Sequence, residues 1–139
     1  MRFMWDPKYS VGIKSIDKQH QRFFEIINSI YFVAGAQQQR VDKDELFKVI
    51  SELVEYADVH LKFEEKCFVD FEYDGTNEHI KAHDLLRTKI KEYLLKFELP
   101  DTILAELATE MADFCKNWLS VHILDMDHKY ISTFLNHGM

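Results

Sequence analysis

The chain has 139 residues, 47% apolar and 29% charged, with a formal charge of −7 and an isoelectric point near 5.4. This is the size of one domain with enough apolar side chains for a core, which argues against disorder, and the lack of a basic patch makes nucleic acid an unexpected partner. Four glycines and two prolines are too few for a turn-rich β-sandwich or barrel, so the expected elements are long helices.

The N-terminal stretch Met1-Arg2-Phe3-Met4-Trp5-Asp6-Pro7 lacks the apolar run and small-residue cleavage site of a secretory signal, and no segment approaches the ~18–20 apolar residues of a membrane helix. Cys67 and Cys115 stand far apart without a C-x-x-C spacing, as expected of reduced thiols in a cytoplasmic protein. After an arm containing Pro7 and Gly12, Ile16, His20, Phe23, Ile27, Ile30 and Ala34 recur at helical steps, ending at a break near residue 38. Asp42 with Glu45 reads as a capping box that opens a second helix, whose stripe is Leu46, Ile50, Leu53, Ala57, His60 and Glu64. Beyond Gly75 a third stripe carries His79, His83, Leu86, Ile90, Tyr93 and Phe97. Beyond Pro100 a fourth carries Leu104, Leu107, Met111, Phe114, Trp118 and His122, followed by a short C-terminal helical segment. His128 and His137, past the fourth stripe, are expected on the solvated surface. No repeat or linker divides residues 1–139, and short connections make neighbouring helices antiparallel. The expected fold is therefore a single all-α domain, an up-down-up-down four-helix bundle.

That topology brings His20, His60, Glu64, His79, His83 and His122 to one end, each on its helix's inward stripe. A lone histidine on an apolar face is more often a hydrogen-bonded core residue than a ligand. A buried, unpaired Glu64 costs several kcal/mol, however, and so many imidazoles at one level cannot satisfy one another as neutral partners. A metal resolves the conflict, because imidazole and carboxylate are ligands and the ion supplies the missing charge. His60-x-x-x-Glu64 and His79-x-x-x-His83 have the spacing that aims two side chains at one point. Near His122 both Asp125 and Asp127 are candidates, and helical geometry alone favours Asp125. Five imidazoles and two carboxylates exceed one tetrahedral zinc and suit two octahedral-type ions, for which iron fits best while copper and zinc stay open on ligand type.

The run Trp5-Asp6-Pro7-Lys8-Tyr9-Ser10-Val11-Gly12-Ile13, followed by Ile16-Asp17-Lys18-Gln19-His20, resembles the bacterial hemerythrins. So do His60-Leu61-Lys62-Phe63-Glu64-Glu65, His79-x-x-x-His83, and Trp118-Leu119-Ser120-Val121-His122 through Asp127 to Tyr130. The resemblance implies two oxo- or hydroxo-bridged non-haem irons that bind O2 reversibly. It implies His79, His83 and His122 on one iron, His20 and His60 on the other, Glu64 and Asp127 between them, and so selects Asp127 over Asp125. Phe23, Leu61, Trp118, Leu119 and Ile123 match the positions lining the O2 pocket, while Phe114 and Trp118 also read as plain core. Asp74 after Tyr73, and Cys67, depart from the family's pattern; both are assigned to the connection between helices two and three. The expected role is oxygen carriage, storage or delivery rather than enzymatic, with no residues left over for a signalling module and with an O2-consuming or redox partner that stays unidentified. The competing readings are an O2 or redox sensor, an iron buffer, and a di-iron oxidase, although the Glu-x-x-His pair of many oxygen-activating bundles is missing.

Overall fold

The structure, a computed structural model, describes residues 3–36 and 41–139. Four long helices, α1 (Lys14–Ala36), α2 (Lys43–Asp70), α3 (Thr76–Phe97) and α4 (Leu104–Asp125), are followed by a 3-10 turn (Asp127–Tyr130) and a short α5 (Ile131–Asn136). There is no strand among the described residues. The helices form a ring, with α1 against α2 and α4, and α3 against α2 and α4, the arrangement expected of an up-down-up-down bundle. The first break, expected near residue 38, lies outside the described residues.

The N-terminal arm is fixed at both ends of its path. Asn28 donates to Phe3 O (2.9 Å) and accepts from Phe3 N–H (2.6 Å), and the Phe3 ring stacks on Phe24 with centroids 3.6 Å apart. Nearer α1, the Asp17 carboxylate accepts from Ser10 Oγ (2.5 Å) and the Val11 N–H (2.8 Å). Gly12 takes φ +73° between them, a left-handed turn that favours glycine and delivers the chain into the first turn of α1.

The stripes of the first three helices are buried as their periodicity predicts. Asp42 caps α2, accepting from the Asp44 (2.9 Å) and Glu45 (3.2 Å) N–H groups. Between α2 and α3 the Tyr73 ring folds beneath Gly75, where a Cβ would stand 2.7 Å from its hydroxyl oxygen, so any other residue would have to displace that ring. Cys67, assigned above to this connection, instead lies inside α2, buried with its Sγ 4.0 Å from Met139 Sδ. The fourth stripe is also corrected. Leu107, Ala108, Met111, Ala112, Cys115, Leu119, His122 and Ile123 are buried, while Leu104, Phe114 and Trp118 lie half-buried at the edge. Phe114 packs beside Tyr93 and Trp118 beside His83, so the bulky aromatics of α4 turn toward α3.

Candidate metal centre

Among the described residues, the buried polar and charged side chains are His20, His60, Glu64, His79, His83, His122 and Asp127. These are the residues singled out from the sequence, and all four helices contribute. His20 comes from the first half of α1, His60 and Glu64 from the second half of α2, His79 and His83 from the start of α3, and His122 from the last turn of α4. Antiparallel packing superimposes these levels.

The choice between Asp125 and Asp127 is a matter of where α4 stops. Asp125 is the last helical residue and is exposed. After Met126, whose N–H still bonds to His122 O at 2.8 Å, the chain tightens into the 3-10 turn and carries both Asp127 and Tyr130 inward. Continuous helical geometry therefore does not apply at Asp127. The same turn corrects His128, which is half-buried rather than solvated, its Nδ1 2.7 Å from Ile123 O, one of the carbonyls that the end of α4 leaves without a helical partner. His137 is exposed as expected and stacks on Phe71 at 4.7 Å.

Two groups of ligand atoms, each within 4.8 Å of one another, lie in this cluster: Glu64 with His79, His83 and His122, and Glu64 with His20 and His60. Glu64 belongs to both. Asp127 spans them as well, with Oδ1 2.9 Å from His79 Nε2 and 3.1 Å from His122 Nε2, and Oδ2 3.0 Å from His20 Nε2. Glu64 Oε1 stands 3.2 Å from His83 Nε2 and 3.5 Å from His60 Nε2, while Oε2 accepts a hydrogen bond from Tyr130 Oη at 2.6 Å.

These contacts do not close as a hydrogen-bond network. His20 Nδ1 and Nε2, Glu64 Oε1, His79 Nδ1, His83 Nε2 and both Asp127 oxygens are buried without hydrogen-bond geometry to any protein group. His79 Nε2 faces His122 Nε2 at 2.9 Å, a pair in which at most one nitrogen accepts. Each buried polar atom left unsatisfied costs about 1–3 kcal/mol. Convergent imidazole nitrogens and carboxylate oxygens are the donor set that divalent transition metals take, so the residues fit a metal. The cluster has the make-up of a metal site.

The surrounding imidazoles keep both carboxylates ionised. Burial and the charge of Asp127 push Glu64 up, but the imidazoles of His60, His83 and His20 outweigh them and hold it at about 2. Burial also raises Asp127, yet His122, His20 and His79 bring it well below the usual carboxylate range. Burial draws His60 down to about 4, so its ring is neutral at pH 7, the state a ligand needs. Residues that the sequence reading did not assign complete the surroundings. His60 Nδ1 meets Gln19 Oε1 at 2.6 Å, His83 Nδ1 meets Glu65 Oε2 at 2.7 Å, and Tyr130 holds Glu64. Glu65 and Gln19 each neighbour a candidate ligand and stand in the runs that carry the family resemblance, but neither signal gave them a role.

Of the predicted pocket residues, Phe23, Leu61, Leu119 and Ile123 are buried, and Phe23 sets its ring edge against His60 at 5.5 Å. Trp118 is half-buried and stacks on His122 at 4.2 Å with planes 13° apart. It also lines an open groove of about 460 Å³ with Phe114, Val121 and Met126.

A four-helix bundle with seven buried imidazole and carboxylate side chains at one end defines a helical metal-binding protein. Residues 11–134 match the Hemerythrin HHE cation binding domain. The chain is 34% identical over 130 residues to a bacteriohemerythrin of Clostridium acetobutylicum, covering 93% of this chain and 98% of the relative. It is 31% identical over 136 residues to a bacteriohemerythrin of Pseudomonas aeruginosa (98% and 83%), and 30% over 128 residues to a myohemerythrin of Riftia pachyptila (92% and 90%). A crystal structure of a hemerythrin point variant superposes with TM-score 0.83 at 23% identity, over 96% of this chain and 98% of that one, which shows the shared fold. The chain belongs to the hemerythrin family, the non-haem di-iron proteins that bind O2.

Proposed function

We propose that the centre holds two non-haem irons and binds O2 reversibly, for carriage, storage or delivery. The observation that carries this reading is the sharing of Glu64 between two donor groups, with Asp127 spanning the same two. His79, His83 and His122 would hold one iron and His20 and His60 the other, with both carboxylates between them and an oxo or hydroxo group completing the bridge. When bound, a reduced iron pair supplies the two electrons that O2 takes up and later returns.

The chain's own residues make the environment for that exchange. The second group has one imidazole fewer than the first, which leaves it the room for a ligand. Phe23, Leu61, Leu119 and Ile123 exclude water there and keep outside reductants and protons at a distance. Gln19 fixes the His60 ring, and Tyr130 holds one Glu64 oxygen by hydrogen bonding so that the carboxylate cannot swing away. A donor set rich in neutral imidazole stabilises highly oxidised iron less than a carboxylate-rich one, which favours binding over oxidative turnover. No helix among the described residues is long and apolar enough to cross a membrane, and free buried Cys67 and Cys115 fit a cytoplasmic setting.

The test is the optical spectrum of purified protein, reduced under argon, exposed to air and re-evacuated. Visible charge-transfer bands that appear in air and vanish under vacuum are the expected result. Bands that form once and do not reverse would mean an oxidase or a redox sensor, and an iron-loaded sample without visible bands would end the di-iron reading.

A further inference from the structure

The outer nitrogens of the candidate ligands are not treated alike. His60 Nδ1 faces a neutral amide, Gln19. His83 Nδ1 faces a carboxylate, Glu65, and Arg87 grips that carboxylate on both oxygens, Nη1 to Oε2 at 2.8 Å and Nη2 to Oε1 at 2.9 Å. Arg87 Nη1 also reaches Asp84 Oδ1 at 3.0 Å. Glu65 and Arg87 are 19% and 31% exposed, so a hydrogen-bonded line runs from the surface of α3 to the buried His83 ring. The other nitrogen of that ring, Nε2, looks into the centre toward Glu64.

We infer that Glu65 and Arg87 are an opposed pair of positioning residues that set how strongly His83 donates electrons to the metal, and so set the redox balance of one half of the centre. The inference rests on the di-iron reading above. A carboxylate accepting the Nδ1–H draws that proton away from the ring and makes Nε2 a stronger donor, which favours the ferric state. Arg87 works against this by taking charge from the same carboxylate through a bidentate pair. Reversible binding needs this restraint, because electrons lent to O2 must come back, and an unopposed carboxylate would hold the iron oxidised. Gln19 gives His60 no comparable charge, so the two halves of the centre are electronically unequal.

The test is a spectroelectrochemical titration of iron-loaded wild type, Glu65→Gln, Arg87→Gln and Arg87→Lys, with iron content measured for each. All four should retain two irons per chain. At the wild-type midpoint, Glu65→Gln should shift the ferric-to-ferrous ratio about threefold toward ferrous, and Arg87→Gln about threefold toward ferric, each about 30 mV on a one-electron scale. Arg87→Lys, which keeps the charge but not the bidentate grip, should fall between wild type and Arg87→Gln. Nitrogen-15 NMR of histidine-labelled, zinc-loaded protein gives a second readout, in which the His83 Nδ1 resonance should move in opposite directions in the two glutamine variants. Shifts of the same sign, or none, with iron content intact would overturn the inference, since a merely structural role cannot produce opposite signs. Opposite NMR shifts in a protein that takes no redox-active iron pair would overturn the di-iron reading while upholding the polarisation of His83 by Glu65.

Discussion

At the end of the bundle where α1 finishes and α2 begins, Ile27, Ile30, Leu46, Ile50, Leu53, Ile90, Phe97, Leu107 and Met111 fill the space between the helices. At the other end the same depth is occupied by five imidazoles and two carboxylates. The first end is stabilised by removing apolar surface from water, roughly 1.5–3 kcal/mol for each large aliphatic side chain. The second loses that contribution and carries orphaned polar atoms besides. One sequence pattern, an inward stripe repeating every three or four residues, thus builds both a self-sufficient core and a core that needs a ligand. The aromatic cluster of Phe68, Tyr130 and Phe134 beneath the polar end supplies apolar burial where the stripe does not.

Removing the metal, or its shared carboxylate, should separate the two ends most. An ion bound at a concentration about a thousandfold above its dissociation constant stabilises the fold by about 4 kcal/mol. Glu64→Ala should drop the iron content below two per chain and abolish the rise in melting temperature on adding iron, read by metal analysis and calorimetry. A variant that kept both irons and reversible O2 binding would show that Glu64 is not shared between them. Leu53→Ala should act in the opposite way. Leu53 is fully buried in the apolar end, and the truncation should cost about 2–5 kcal/mol in denaturant unfolding. That loss should be equal with and without metal, and iron content should not change.

Acidity sharpens the contrast in metal-free protein, because the titrating groups lie at one end. His60, depressed by burial to about 4, binds a proton more readily when unfolded, so its contribution falls as pH drops from its ordinary 6.5 toward 4. Burial lowers His83, but Glu64 and Glu65 outweigh it and raise it to about 9. Its contribution is complete below 6.5 and is lost as pH rises through 9. Burial raises Glu65, but His83 and Arg87 bring it to about 2, so its contribution is present above the ordinary 4.5 and lost as pH falls toward 2. Metal-free protein should therefore be most stable near pH 6.5, with denaturation midpoints falling on both sides. Bound metal should flatten the alkaline limb, because His83 as a ligand no longer gains a proton. An alkaline limb unchanged by metal would remove His83 from the ligand set.

Much of this was legible in the residues. Sparse glycine and proline located the connections, and stripes such as Leu46-Ile50-Leu53 show the helical period whatever their partners. Six of the seven polar residues stood out because histidine and glutamate interrupt otherwise apolar stripes. Legibility failed where the chain leaves regular geometry or where two helices compete for one face. Asp127 was selected over Asp125 only by the family resemblance, because helical geometry points the other way until it is known that α4 stops at Asp125 and tightens. Trp118 and Phe114 were read as inward-facing because periodicity marks a stripe's repeat but not its rotation, which in α4 buries Ala108, Ala112 and Cys115 and leaves the two aromatics at the edge. Arg87 gave no signal, since a cation on an exposed helical face is ordinary until its partner is seen.

The smallest of these effects falls at the apolar end. Asp42 is exposed, yet its carboxylate satisfies two N–H groups that α2 otherwise leaves bare. A negative charge at that position also complements the helix dipole, although the neighbouring Asp44 and Glu45 oppose part of this benefit. Asp42→Ala should cost about 1 kcal/mol in denaturant unfolding, while Asp42→Ser, which keeps an acceptor, should recover most of it. Because α2 carries Asp42 at one end and His60 with Glu64 at the other, the variant also asks whether fraying travels along the helix. More than four helical turns and the buried Leu46, Ile50 and Leu53 stand between cap and ligands. Iron content and the visible spectrum should therefore match wild type, and a loss of iron in Asp42→Ala would mean that the apolar core does not insulate the centre from the far end of its own helix.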